Sequence, residues 1–117
     1  LEFRRVLFRS FLKRQKMTYT HLELDVIRWS EARKIIPNST PLAQAIKAVE
    51  EINELVDALR DNNKAEAIDA VGDTVVCLIN VCALMDVNLV DCLTEAYKQI
   101  KDRKGYMNEE GIFVKQS

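Results

Sequence analysis

The stretch Lys64-Ala65-Glu66-Ala67-Ile68-Asp69-Ala70-Val71-Gly72-Asp73-Thr74-Val75-Val76-Cys77-Leu78-Ile79-Asn80-Val81-Cys82-Ala83-Leu84-Met85 decides the fold. From Thr74 to Met85 it is apolar nearly all round except at Asn80, the pattern of a helix buried in a bundle. The polar exceptions are Asp69, Asp73 and Asn80. With Asp73 taken as zero, a step of about 100° per residue puts Asp69 near about −40° and Asn80 near about −20°. All three share one narrow stripe, with Glu66 beside it. Aspartates on a buried helix carry a desolvation cost of several kcal/mol per ion unless compensated. Lys64 points away from the stripe, and a divalent cation is the simplest compensation. Hard Mg²⁺ takes carboxylate oxygens, keeps some waters, and bridges protein acids to phosphates. The plainer alternative is an exposed face or a cap. It suits Asp69, where an acid near the helix start favours the dipole, and suits Asp73 poorly.

Working outward, Thr40-Pro41 is a helix start, a hydroxyl N-cap followed by proline at the first helical position. The spacing predicts a helix from there to about Arg60, with Asp61-Asn62-Asn63 as the turn into the next. Leu42, Ile46, Val49, Ile52, Val56 and Leu59 form its apolar stripe. Opposite lie Ala43, Lys47, Glu50, Glu51, Glu54 and Ala58, where the small alanines would let another helix approach. Lys47 can pair with Glu50 or Glu51 one turn on, as on an ordinary solvated face. Three glutamates against one lysine still leave net repulsion. A helix is predicted earlier, from Thr20 to about Ile36, ended by the Pro37–Pro41 punctuation. Another runs from about Leu89 to Lys104, ended by Gly105. The tail from Tyr106 is expected to be extended, with Phe113 packing back. The fold class is all-α, a four-to-five-helix bundle with a short extended C-terminal tail.

The chain has 117 residues, enough for one domain, with 48% hydrophobic residues and only three glycines and two prolines. That composition favours helices. The longest nearly uninterrupted apolar run, Val75 to Met85, is shorter than the roughly 20 residues that cross a bilayer, so no membrane partner is expected. Residues 1–16 hold six basic residues and one acid; the rest holds 11 basic and 17 acidic residues, a charge of about −6. An acidic body argues against nucleic-acid binding, which needs Lys and Arg at phosphates. Residues 1–16 resemble a translated sequencing-adapter sequence at their start and are expected to be a non-native or disordered extension, with the domain at 17–117. Cys77, Cys82 and Cys92 sit in apolar helical patterns and read as reduced core residues of a cytoplasmic protein. One histidine and no CxxC make a zinc site improbable.

Glu50-Glu51-Ile52-Asn53-Glu54, followed by Asp69-Ala70-Val71-Gly72-Asp73, resembles the EExxE…ExxD signature of MazG-like all-α nucleoside triphosphate pyrophosphohydrolases. Lys47 resembles the lysine that leads into the first motif. Ser39-Thr40-Pro41-Leu42-Ala43-Gln44, Leu78-Ile79-Asn80, Ile100-Lys101-Asp102-Arg103-Lys104-Gly105 and Gly111-Ile112-Phe113-Val114-Lys115 are also similar to phage and bacterial members. One position departs: Ala70 stands where the second motif has its first acid, and Asp69 is the nearest substitute, on the same face at i and i+4 from Asp73.

The resemblance implies hydrolysis of a (deoxy)nucleoside triphosphate to monophosphate and pyrophosphate, in nucleotide-pool house-cleaning. The implied cofactor is Mg²⁺, with Mn²⁺ as a substitute, held by Glu51, Glu54, Asp69 and Asp73. Bound metal would neutralise phosphates and activate water, and Glu50 or Glu51 would accept the water's proton. Lys47, Lys101, Arg103 and Lys104 are candidates for phosphate oxygens; the last three could instead complement a helix C-terminus. Trp29, Gln44 and Asn80 are candidates for the rest of the substrate, although a tryptophan in a helix is more often core. Two other readings compete: a phosphoribosyl-ATP pyrophosphatase-like enzyme, and a non-catalytic helical dimerisation module with surface acids. The surplus of apolar helix surface points to a homodimer or higher homo-oligomer.

Overall fold

A computed structural model describes residues 18–116; the expectations for residues 1–16 lie outside them. The described residues form five helices and a two-stranded hairpin. Helix α1 spans Tyr19–Ala32 and is capped by the Thr18 hydroxyl, which accepts from the His21 amide at 3.2 Å. It ends earlier than the periodicity predicts, because Lys34 adopts a left-handed backbone with φ 63°. The short helix α2, Ile35–Asn38, follows, with a cis Ile36–Pro37 peptide.

Helix α3 spans Pro41–Arg60, and Thr40 caps it as expected, accepting from the Ala43 amide at 3.0 Å. Asn62, at φ 54°, turns the chain. Asn63 then caps helix α4, Lys64–Leu84, by accepting from the Glu66 amide at 3.1 Å. The short turn makes α3 and α4 an antiparallel pair, and it is the main packing unit of the chain. Small residues form its seam: Ala48 and Ala58 on α3, Ala67 and Ala70 on α4, all buried. Small side chains let the two backbones approach closely.

The seam buries the alanine-bearing, acid-bearing side of α3. The apolar stripe Leu42, Ile46, Val49, Ile52, Val56 and Leu59 faces outward, 38–70% exposed, whereas Glu51 is buried at 7%. On α4, Cys77, Ile79, Asn80 and Cys82 are buried, but Ile68, Val71, Leu78 and Met85 are exposed. The helix as a whole is longer than its apolar run. By length and composition it is the one described helix that could cross a membrane. It instead packs among α1, α2 and α3 and carries Glu66, Asp69 and Asp73 along one side.

Asp86, at φ 58°, reverses the chain, and Asn88 caps helix α5, Leu89–Ile100, accepting from the Asp91 amide at 2.8 Å. A second cap comes from α1: buried Glu23 accepts from the Leu89 amide at 2.7 Å. An acid at a helix N-terminus is favoured by the dipole. Otherwise α5 is held lightly; none of its residues is buried, and Cys92 is exposed rather than in the core. Gly105 does not end this helix. It opens strand β1, Gly105–Met107, which pairs antiparallel with β2, Phe113–Lys115, with Tyr106 opposite Val114. A Cβ at Gly105 would collide with the Val114 carbonyl and the Phe113 ring, so that position requires glycine. Phe113 therefore packs back, onto the start of β1.

Candidate functional site

Glu50, Glu51 and Glu54 recur at helical spacing on α3, and of the three only Glu51 is buried. Lys47, one turn earlier, bridges the first two: its Nζ lies 3.1 Å from Glu50 Oε2 and 3.6 Å from Glu51 Oε1. The Glu50 hydrogen bond and charge, then the Glu51 charge, push the lysine above its ordinary value. Glu50 stays exposed. Glu51 does not, and its second oxygen, Oε2, is buried with no hydrogen-bond partner. A buried carboxylate oxygen without a donor is costly.

Across the seam, Asp73 is half-buried. Burial first, then the charges of Asp69 and Glu51, raise its carboxyl above the usual range, with Lys47 opposing. Asp69 and Asp73 thus stand as neighbours one turn apart, and both α4 and α3 contribute charge to one locus. Ala70, the position at which the sequence departs from the family signature, is buried in the seam. Asp69, beside it, is exposed and lines an open hollow of about 360 Å³ with Glu54, Asp57, Glu66 and Ala70. Asp57 was not singled out from sequence, although its place three residues after Glu54 continues the acidic face.

A second hollow, of about 370 Å³, is bordered by Asp73 itself together with Leu22, Asp25, Val26, Trp29 and Val76. Trp29 is 45% exposed rather than core, and the Arg33 guanidinium sits over its ring at 4.7 Å. The α3–α4 seam is therefore flanked by an acidic hollow and an apolar, aromatic one, with Asp69 lining the first and Asp73 the second.

Two further candidates have internal partners. Asn80 is 2% exposed. It accepts from the Ser30 hydroxyl at 2.6 Å and donates to Gln44 Oε1 at 3.1 Å. Gln44 in turn donates to the Ser39 hydroxyl at 3.1 Å. The resulting polar chain ties α1, α4 and α3 together, so Asn80 and Gln44 position helices in this arrangement. Lys101, Arg103 and Lys104 are exposed just beyond α5. The structure does not bring them to the acids: among the described residues they form no ion pair.

The donor types, all carboxylate oxygens, suit a hard divalent cation. The carboxylates come from two helices, and one of them has a buried oxygen that nothing in the chain satisfies. The acids are spread rather than closed: among the described residues, no three His, Cys, Asp or Glu side chains converge on a single point.

Residues 31–104 match the family described as phosphoribosyl-ATP pyrophosphohydrolase, a stretch that contains α3, α4 and α5 but not Trp29. A relative in Haemophilus phage HP1 (strain HP1c1), described as an uncharacterised 18.2 kDa protein in the rep-hol intergenic region, is 31% identical over 71 residues. That alignment takes in 61% of this chain and 42% of the phage protein, so the chain spans well under two thirds of its relative. No solved structure matches the chain. Since the matched stretch contains the whole acid-bearing helix pair, the chain belongs to the phosphoribosyl-ATP pyrophosphohydrolase family, within the MazG-like all-α nucleotide pyrophosphohydrolase superfamily.

Proposed function

We propose that this chain hydrolyses a nucleoside triphosphate between its α and β phosphates, releasing the monophosphate and pyrophosphate, with Mg²⁺ as cofactor and Mn²⁺ as a substitute. The observation that carries the reading is Glu51 Oε2, a buried carboxylate oxygen with no donor, beside the Asp69–Asp73 stripe. Glu51, Glu54, Asp69 and Asp73 are the residues that would hold the cation. When bound, it supplies charge neutralisation at the phosphates and acidifies water. Glu50, exposed at the edge of the cluster, accepts the proton of the attacking water, a role Glu51 can share. Lys47, already between the two glutamates, offers its ammonium to a phosphate oxygen. The base enters the hollow that Trp29 borders, where the half-exposed indole offers apolar contact area.

The outward stripe of α3, together with Ile68 and Val71 of α4, is a wide apolar surface on a small protein. Exposed apolar patches of this kind mark interfaces. A second copy covers it, pairing through α3 and α4, in an isologous contact. The exposed Lys101, Arg103 and Lys104 are then available to the neighbouring subunit's phosphates. The setting is cytoplasmic, in a bacterium or in a phage-infected host.

Pyrophosphate release from a panel of nucleoside triphosphates and phosphoribosyl-ATP, with Mg²⁺, tests the reading. Turnover of a nucleoside triphosphate is expected. Turnover of phosphoribosyl-ATP alone would reassign the substrate. No turnover, together with no thermal stabilisation by Mg²⁺, would leave a non-catalytic dimerisation module.

A further inference from the structure

The Sγ atoms of Cys82 and Cys92 lie 3.8 Å apart, bridging α4 and α5 across the Asp86–Asn88 turn. Their surroundings differ. Cys82 is buried and Cys92 exposed. Helix α5 has little else to hold it: no buried residue, and the Glu23 cap on its first amide. We propose that Cys82 and Cys92 are a redox pair, oxidised by a peroxide to an intramolecular disulfide that staples α5 to α4.

The chemistry balances with hydrogen peroxide as oxidant. The exposed Cys92 sulfur attacks one peroxide oxygen, the O–O bond breaks, and the departing hydroxide leaves as water with the thiol's proton. Cys92 is now a sulfenic acid. The Cys82 sulfur attacks that sulfur, the S–O bond breaks, and the second water leaves with the Cys82 proton. Two thiols and one peroxide give one disulfide and two waters. Exposure sets the order of the two steps: peroxide from solvent reaches Cys92, whereas Cys82 is buried and, mainly through that burial, has its thiol pushed up to about 11, which keeps it from reacting with peroxide first. Cys77, buried farther back on α4, takes no part. The disulfide closes a short loop and fixes the direction of α5, and with it the basic Lys101–Lys104 end.

The test treats the full chain with hydrogen peroxide, then denatures and alkylates it for intact-mass and peptide analysis. Only Cys77 is expected to be alkylated, with a Cys82–Cys92 link within one chain. The oxidised protein should melt several degrees higher, an effect reversed by dithiothreitol. Cys92→Ser, at an exposed position, should fold normally and leave Cys82 fully alkylatable after peroxide. Any of four results overturns the proposal: Cys92 as sulfinic acid with Cys82 still alkylatable, a disulfide to Cys77, a disulfide between copies, or an unchanged or lower melting temperature.

Discussion

Glu51 has a buried carboxylate oxygen that the folded chain alone does not satisfy. Lys47 reaches one of its oxygens at 3.6 Å and leaves the other buried and bare. Glu51→Gln keeps the shape and removes the charge, so the metal-free protein should melt at a higher temperature while losing Mg²⁺-dependent stabilisation and turnover. Asp73→Asn should act in the same way. Relieving a like-charge neighbour is worth a few tenths of a kcal/mol, or about 1–3 °C in a domain of this size. Differential scanning fluorimetry with EDTA and with Mg²⁺ measures both arms; a metal response in either variant equal to wild type would contradict the assignment. The pH dependence follows from the same residue. Folding raises the Asp73 carboxyl above its usual range, so the native state binds its proton more tightly than the unfolded chain does. Its contribution to stability is full below the ordinary aspartate value and is lost as pH rises through the folded one. In EDTA, the stabilisation of Asp73→Asn over wild type should therefore grow from acid toward neutral pH.

At the scale of elements, caps and polar stripes were legible and inside–outside orientation was not. Thr40-Pro41 opened α3 where expected, because hydroxyl capping and the fixed proline φ are local effects. The Asp69–Asp73 stripe followed from helical period alone. The period also divided α3 into two faces, yet it does not say which face its own chain covers. Alanines made the close seam, drawing Glu51 inward and leaving the leucine, isoleucine and valine stripe outside. Asn80 reads the same way: its place on the acid stripe was legible, and its hydrogen bonds to distant Ser30 and Gln44 were not. Asn80→Leu should leave the fully buried Ser30 hydroxyl and the Gln44 amide oxygen without their partner. An unmade buried hydrogen bond costs about 1–3 kcal/mol. Urea unfolding in EDTA should show a loss of this order; an unchanged midpoint would mean that the polar chain does not hold the helices together. Gly105 was legible as punctuation but not as the start of a strand, since that requirement comes from Phe113 and Val114 across the hairpin.

The whole molecule joins these scales through its exposed apolar face. If α3 and α4 pair with a second copy, Ile52→Asp on the outer stripe should shift the protein toward monomer in equilibrium sedimentation at micromolar concentration. Turnover should fall at least tenfold, because the acids would lose the neighbouring subunit. A wild-type protein that sediments as an active monomer would remove that interface. Family membership covers residues 31–104, and within it the acids of α3 and α4 are the proposed chemical centre. The most direct test is product analysis by phosphorus NMR on a nucleoside triphosphate, with Mg²⁺, for wild type and for Asp73→Asn. The account predicts monophosphate and pyrophosphate in equal amounts from wild type, and none from the variant. Diphosphate and inorganic phosphate as products, or equal rates in both proteins, would contradict it.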